Sequence, residues 1–501
     1  MEDGRLHEDP SSVVHRLKEK PETLIIGAGG GKDVLAALSL GARHVTAVEL
    51  NPIIVNDIML KRYKEFSGSL YEHPKVTAVA AEGRSYLRCS KKSYDVIQLA
   101  FVDTSAATSG GAYILAENNL YTVEAFMEYL SHLKDGGIFS VSWVDVPGLY
   151  GGTRLVSLGL EALERLGVKE VDRHVIVLSH APQPAWLIRT VLLKRSAFTE
   201  AEEKQVAAFC QDMGFKITYL PHQHSKTFIS KLILHPNRNE LYRSLPLDIS
   251  PTTDDRPFFF YQDRMSQLWR SLKEKELAGL TYGVGLQLLG RTLVLTSLLV
   301  LLFFFVPMVF LRPAALSQSL PCLVYFVCLG FGFICLEIAL LQKFVLFLGH
   351  PFYTLSTTLL GILLFAGLGS LSTHRFLSHP PGFYIRRSIV LLILIAFIYL
   401  WGLSKLFMAF LGYPAWTKVG LTLFLLMPLG LLMGMPFPLG IRVIQNRTDG
   451  IIPWVWGLNG GASVLGSVVG MILAMNFGYN ATLLTGLGIY LIAFCIAHLT
   501  F

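Results

Sequence analysis

The chain has 501 residues, of which 52% are hydrophobic and 16% charged, with a formal net charge of +7. That balance is too apolar for one soluble globular protein of this length, and it lacks the basic stripe on a polar surface that nucleic-acid binding requires. The charge is also divided, with ten basic and two acidic residues from Arg291 onward against 33 and 34 before it, so a nearly neutral zone precedes an apolar one with basic loops.

In chain order, residues 23–26 predict a short buried strand, ended by the turn Gly27-Ala28-Gly29-Gly30-Gly31 and followed by a helical pattern at Val34, Leu35, Leu38 and Leu40. Residues 44–50 predict a second strand, and Pro52 opens the next helix, where its missing N–H does no harm. Further strands are predicted at 76–80, 94–100 and 138–143, and helices at 122–134, at 152–166 and after Thr199, where Glu202 completes a capping box. Residues 171–178 and 186–193 form an antiparallel edge pair. This alternation predicts an α/β, Rossmann-like domain over 1–195. Residues 196–289 read as a small extension and linker, with strands near 216–220 and 227–234. Within it, Asp254-Asp255-Arg256-Pro257-Phe258-Phe259-Phe260 has two readings: a segment seated at a membrane interface, or a surface turn before a buried aromatic strand.

Residues 290–501 predict a polytopic α-helical membrane domain, with spans at 292–311, 321–341, 352–372, 388–408, 417–438, 455–476 and 478–499. A cytosolic ligand would place the soluble domain in the cytoplasm, at a plasma or inner membrane. The loop with Arg375, Arg386 and Arg387 then falls outside, against the positive-inside tendency. Glu337 is the one acid in a strong span, with Gln342, Lys343 and His350 nearby in sequence; it reads as a substrate contact or as part of a packing pair. Pro436 and Pro438 should break their helix, and Asn459, Gly460, Gly461, Ser463, Gly466, Ser467 and Gly470 favour close helix contact. The six cysteines form no CxxC pair, and no metal site is expected.

The chemistry concentrates in the first zone. Gly27, Gly29 and Gly31 follow a strand and open a helix, the pattern that lets backbone approach a ligand at a helix N-terminus. Glu49 ends the following strand, where a carboxylate can accept both hydroxyls of a ribose, and Glu82-Gly83 after the third strand can meet an adenine edge. Residues alone leave NAD and S-adenosylmethionine (SAM) both open.

The order IIGAGGGKDVLAAL, VTAVELNP, Glu82-Gly83, YDVI, LYTVEAF and LKDGGIFSVS resembles the spermidine and spermine synthase family over about residues 20–195. The phrases TTDDRPFFFY, LGHPFYTLSTTLL, MGMPFPLGIR and WGLNGGASVLGSVVG resemble its integral-membrane relatives. The resemblance implies a SAM-dependent methyltransferase-like fold, with decarboxylated SAM or SAM as donor substrate and a small amine or lipid-proximal acceptor. It implies Gly27, Gly29 and Gly31 at the methionine-derived portion, Glu49 at ribose, and Glu82 with Gly83 at adenine. The family's catalytic stretch carries two aspartates three positions apart; here Ala100 stands first and Asp103 second. Asp103 and Tyr121 are the catalytic candidates, and a homo-oligomer is compatible with the family. Methyl transfer, and a transporter or sensor regulated by a nucleoside, are the competing readings.

Overall fold

The computed structural model describes residues 9–102, 116–145, 150–183, 186–223, 226–265, 284–305, 313–349, 351–375, 379–445 and 451–501. Two compact units divide it, Met1–Leu286 and Gln287–Phe501.

The first unit is built on eight strands: β1 Glu22–Ile26, β2 His44–Glu49, β3 Val76–Ala80, β4 Tyr94–Ala100, β5 Leu133–Asp145, β6 Val175–Gln183, β7 Trp186–Lys194 and β8 Lys216–Tyr219. They lie in the order β3-β2-β1-β4-β5-β7-β6-β8. The pairs from β3 through β5 are parallel, whereas β7 runs antiparallel to both neighbours and β8 antiparallel to β6. Near-continuous apolar runs such as Leu24-Ile25-Ile26 suit strands covered on both faces. The covering helices are α1 Val13–Arg16, α2 Lys32–Ser39, α3 Gly83–Cys89, α4 Val123–Ser131, α5 Gly151–Arg165, α6 Glu200–Met213, α7 Phe228–Leu234 and α8 Arg238–Ser244. The capping box of α6 forms as its sequence requires, with Thr199 and Glu202 bonded reciprocally.

Three expectations are corrected. Residues 227–234 are helix rather than strand: apolar Phe228, Ile229, Leu232 and Ile233 recur at helical spacing, and the Thr227 hydroxyl caps the Ser230 amide. Residues 171–174 form a 3₁₀ turn, so β6 starts later, and β8 takes the sheet edge. The run from Phe258 to Tyr261 is buried as the second reading expects, but it forms no strand. All four side chains are buried in the first unit, where Phe259 and Phe260 pack on Trp143 and Phe259 also meets Tyr121. Fully buried Arg154 organises that turn from α5, donating to the carbonyls of Ser250, Phe259 and Tyr261. The helix opened by Pro52 winds as a π-helix over Ile54–Arg62.

The second unit is helical: α9 Val284–Val300, α10 Pro313–Leu348, α11 Pro351–Ser372, α12 Pro381–Phe410, α13 Ala415–Gly434, α14 Pro436–Gln445, α15 Ile452–Phe477 and α16 Tyr479–Thr500. Among the described residues, six segments are long and apolar enough to cross a membrane, and they match six of the seven expected spans. The first expected span, 292–311, runs past the described residues; its described part is α9 and a short π-helix, Leu301–Phe305. The break at Pro436 occurs as expected, between α13 and α14, and the Tyr325 hydroxyl donates to the Pro436 carbonyl at 2.9 Å.

The small residues of α15 press it against α10. Asn459 donates to the Phe326 carbonyl at 2.9 Å and Ser463 to the Gly330 carbonyl at 3.1 Å, while a Cβ on Gly466 would meet Ile334. Gly460 faces open space and Ser467 bonds within its own helix, so the cluster packs through one face. Glu337 is half-buried in α10, and Lys343 donates to Asn480 at 2.7 Å. His350 lies outside the described residues.

Candidate functional site

The parallel strands fan to either side of β1, so the loops after β1, β2, β3 and β4 converge at one edge of the sheet. This is the topological switch point, where open α/β sheets hold their ligands. Gly27, Gly29 and Gly31 take positive φ angles of 78°, 49° and 84°, which side-chain-bearing residues rarely adopt. The glycines do different work. A Cβ on Gly27 would strike Val102, and one on Gly31 would lie 2.6 Å from Leu70; at Gly30 it would meet nothing within 4 Å. Gly27 and Gly31 therefore permit packing, and the open face of the turn is at Gly30, which the spacing of the other three does not single out.

Glu49 locks this turn to the second strand. Its carboxylate accepts the Gly29 amide at 3.0 Å and the Asn51 amide at 2.9 Å, leaving about two of its four acceptor sites for other donors. From the far side, the Tyr71 hydroxyl donates to the Gly29 carbonyl at 2.7 Å.

Glu82 is the N-cap of α3, accepting the Arg84 and Ser85 amides at 3.0 and 2.6 Å. Its carboxylate is thus held at the helix N-terminus just beyond β3. Gly83 allows α3 to lie directly on Ile26 at the end of β1.

After β4, Ala100 leads into Phe101, whose φ of 56° is the left-handed conformation that an aromatic residue seldom takes. Such backbone costs on the order of 1–3 kcal/mol and persists where its surroundings over-determine it. They do so here: the Phe101 amide donates to the Ser142 carbonyl, and the Tyr121 hydroxyl donates to the Val102 carbonyl at 2.9 Å. Tyr121 is wholly buried beside Trp143 and Phe259, so its placement is that of a residue positioning the backbone. Asp103 and the glycine-bearing stretch 108–112 lie outside the described residues.

Two buried networks support this edge without having been legible as site features. In the first, Arg84, 1% exposed, forks onto Asp254 at 2.6 and 2.7 Å and onto Glu128 at 2.8 and 2.9 Å. Burial opposes ionisation of Asp254, but the Arg84 charge outweighs it and holds the carboxyl below its usual range. In the second, the His15 imidazole bonds to Gln98 at 2.6 Å, and Asp33 stands in the first turn of α2. Burial pushes His15 down to about 4, while burial and the Asp9 charge push Asp33 up to about 6. The Glu82-Gly83-Arg84 and Thr252-Thr253-Asp254 motifs were visible in the sequence, but their pairing needed contact across 170 positions.

Strand order and site define a Rossmann-like α/β domain, followed in the chain by a polytopic helical region with helices long and apolar enough to cross a membrane. No family model matches the chain. Over 252 residues it is 23% identical to a polyamine aminopropyltransferase of Korarchaeum cryptofilum, a match covering 49% of this chain and 70% of that protein. Similar solved structures include spermidine synthase from Thermotoga maritima, at 18% identity over 47% of this chain and 72% of that one with a TM-score of 0.29. A probable spermidine synthase from Corynebacterium glutamicum matches at 15% identity over 46% and 77%, with a TM-score of 0.33. The sequence similarity to the archaeal aminopropyltransferase is distant and spans about half of this chain.

Proposed function

We propose that this protein is a membrane-bound transferase that takes decarboxylated SAM or SAM as donor and acts on a small amine or a membrane-proximal acceptor. The observation that carries the reading is Glu49, fixed to the glycine turn through the Gly29 amide with acceptor capacity left for a ribose diol. Gly27, Gly29 and Gly31 shape the cradle for the methionine-derived portion, and Glu82 with Gly83 bounds the adenine side. The acceptor nitrogen attacks the carbon beside the donor sulfonium, the carbon–sulfur bond breaks with its electron pair returning to sulfur, and the nitrogen gives up a proton. Asp103 is the proposed acceptor of that proton, with Tyr121 holding the backbone just before it.

Aminopropyl transfer is favoured by the motif order and by the activity named for the archaeal relative. Methyl transfer is the second reading, favoured by Ala100, which offers no carboxylate to a cationic amine. The soluble unit is assigned to the cytoplasm, where such a donor is made, with the helices in the plasma or inner membrane.

The test is incubation of the purified full-length protein with SAM or decarboxylated SAM and an amine pool, read by product mass. A mass gain of one aminopropyl or one methyl group decides between the two transfers. Turnover of neither donor above empty membranes overturns both. Glu49→Ala should weaken donor binding at least tenfold, the loss of about 1.4 kcal/mol expected for charge-assisted bonds. Asp103→Asn should lower turnover with donor affinity unchanged.

A further inference from the structure

A cavity of about 490 Å³ lies away from the glycine turn, over β6, β7 and β8. That is within the usual size of a small-molecule site. Its floor is a row across three strands: Ser179 is in register with Arg189 on one side and Lys216 on the other. Register partners project from the same sheet face about 5 Å apart, so two cationic side chains flank one hydroxyl. Thr218 adds a second hydroxyl, 2.9 Å from that of Ser179.

The polar floor is built: Ser179 and Thr218 are more than nine-tenths buried, and the Arg189 side chain is 11% exposed. Arg189 spends its Nε on Asp145 at 2.9 Å, and no described group takes its two Nη donors. Lys216 has no ion pair among the described residues. Walls from α7 and the strap 245–249 are apolar, including Phe228, Leu245 and Leu247.

No carboxylate is among the described lining residues. A polyamine buried here would lack counter-charge, whereas an anionic head would find the Nη atoms of Arg189 and the ammonium of Lys216 beside the Ser179–Thr218 hydroxyl pair. We infer that this cavity binds an amphipathic anion, a carboxylate or phosphate head on an acyl-like body, as a second ligand site of the soluble unit. The inference does not depend on the donor reading. A free metabolite and a lipid drawn from the bilayer share that chemistry.

The test uses full-length protein in nanodiscs of zwitterionic phospholipid, with the fluorescent fatty acid cis-parinaric acid as probe. Saturable binding is expected, displaced by decanoate or decyl phosphate and at least tenfold less well by decylamine or decanol. Displacement by soluble decyl phosphate supports a free ligand, and displacement only by lysophosphatidate in the disc supports a lipid source. Lys216→Glu, an exposed and fold-neutral change, should weaken the probe about tenfold by reversing one charge of the site that faces the head group. Leu247→Trp should fill the cavity and abolish binding, and both variants should bind donor as the parent does. The inference is overturned if decylamine competes as well as decanoate, if neither phosphate amphiphile displaces the probe, or if Lys216→Glu binds like the parent.

Discussion

At the residue scale, one glycine-rich turn contains positions with opposite sensitivities. Gly31→Ala places a Cβ at φ 84° and 2.6 Å from Leu70, and should destabilise the first unit by about 1–3 kcal/mol. Gly30→Ala adds a methyl group to open space; its stability should stay within about 0.5 kcal/mol of the parent while donor affinity falls several-fold. Thermal unfolding and donor titration read the two effects separately, and unchanged donor affinity in Gly30→Ala would place the donor elsewhere. His15 gives a pH signature. Held near pKa 4 by burial, it stays neutral in the fold while the unfolded chain gains a proton below pH 6.5. Stability should therefore fall as pH drops from 6.5 to 4, by up to about 3 kcal/mol relative to His15→Asn. Asp33 acts oppositely, retaining its proton up to about pH 6, so the comparison with His15→Asn isolates the histidine. Parallel stability curves for parent and variant would refute the buried neutral assignment.

At the scale of elements, strand and helix positions followed from local pattern wherever the period was clean. β3 and β4 match their sequence windows, and Thr122 and Thr199 cap the helices they precede. The misreading of 227–234 shows the limit, because a short apolar run suits either state until its cap is recognised. What the acidic turn at 254 does was not legible. Asp254 reaches back to Arg84 and Thr122, while its amide is held by Glu124, clamping the turn onto α3 and α4. Arg84→Leu would leave Glu128 bonded to Arg88 but strip Asp254 of its fork, leaving it the Thr122 hydroxyl and a 3.9 Å contact to Arg88, and should cost about 1–3 kcal/mol. Arg84→Lys keeps the charge but loses the fork, so a smaller loss is expected. Equal unfolding midpoints for Arg84→Leu and the parent would show that the clamp contributes nothing.

At the scale of the molecule, the two units have separate cores, an eight-stranded sheet in one and a bundle centred on α10 in the other. Gly466→Leu should disturb α10 against α15, since even a Cβ there would lie 2.5 Å from Ile334. We expect a lower unfolding midpoint for the helical unit with donor affinity within about twofold of the parent, as for sites without shared contacts. A collapse of donor binding would mean that the soluble unit depends on the bundle. The same division explains why Phe258 to Tyr261, so membrane-like in composition, belongs to the first unit: its partners are Tyr121, Trp143 and Arg154.

The sequence by itself determined the α/β-then-membrane order, the glycine turn and the acid at the end of β2, because each depends on local periodicity or on residues close along the chain. Only the tertiary structure decided which glycines pack and which face space, that Tyr121 braces a strained backbone, and that Arg84 and Asp254 form one buried ion pair. It also decided that Arg189, Ser179 and Lys216 share a cavity floor. These depend on strand order and on contacts between distant positions, and a hydrophobic pattern carries no information about which distant charge will neutralise a buried one.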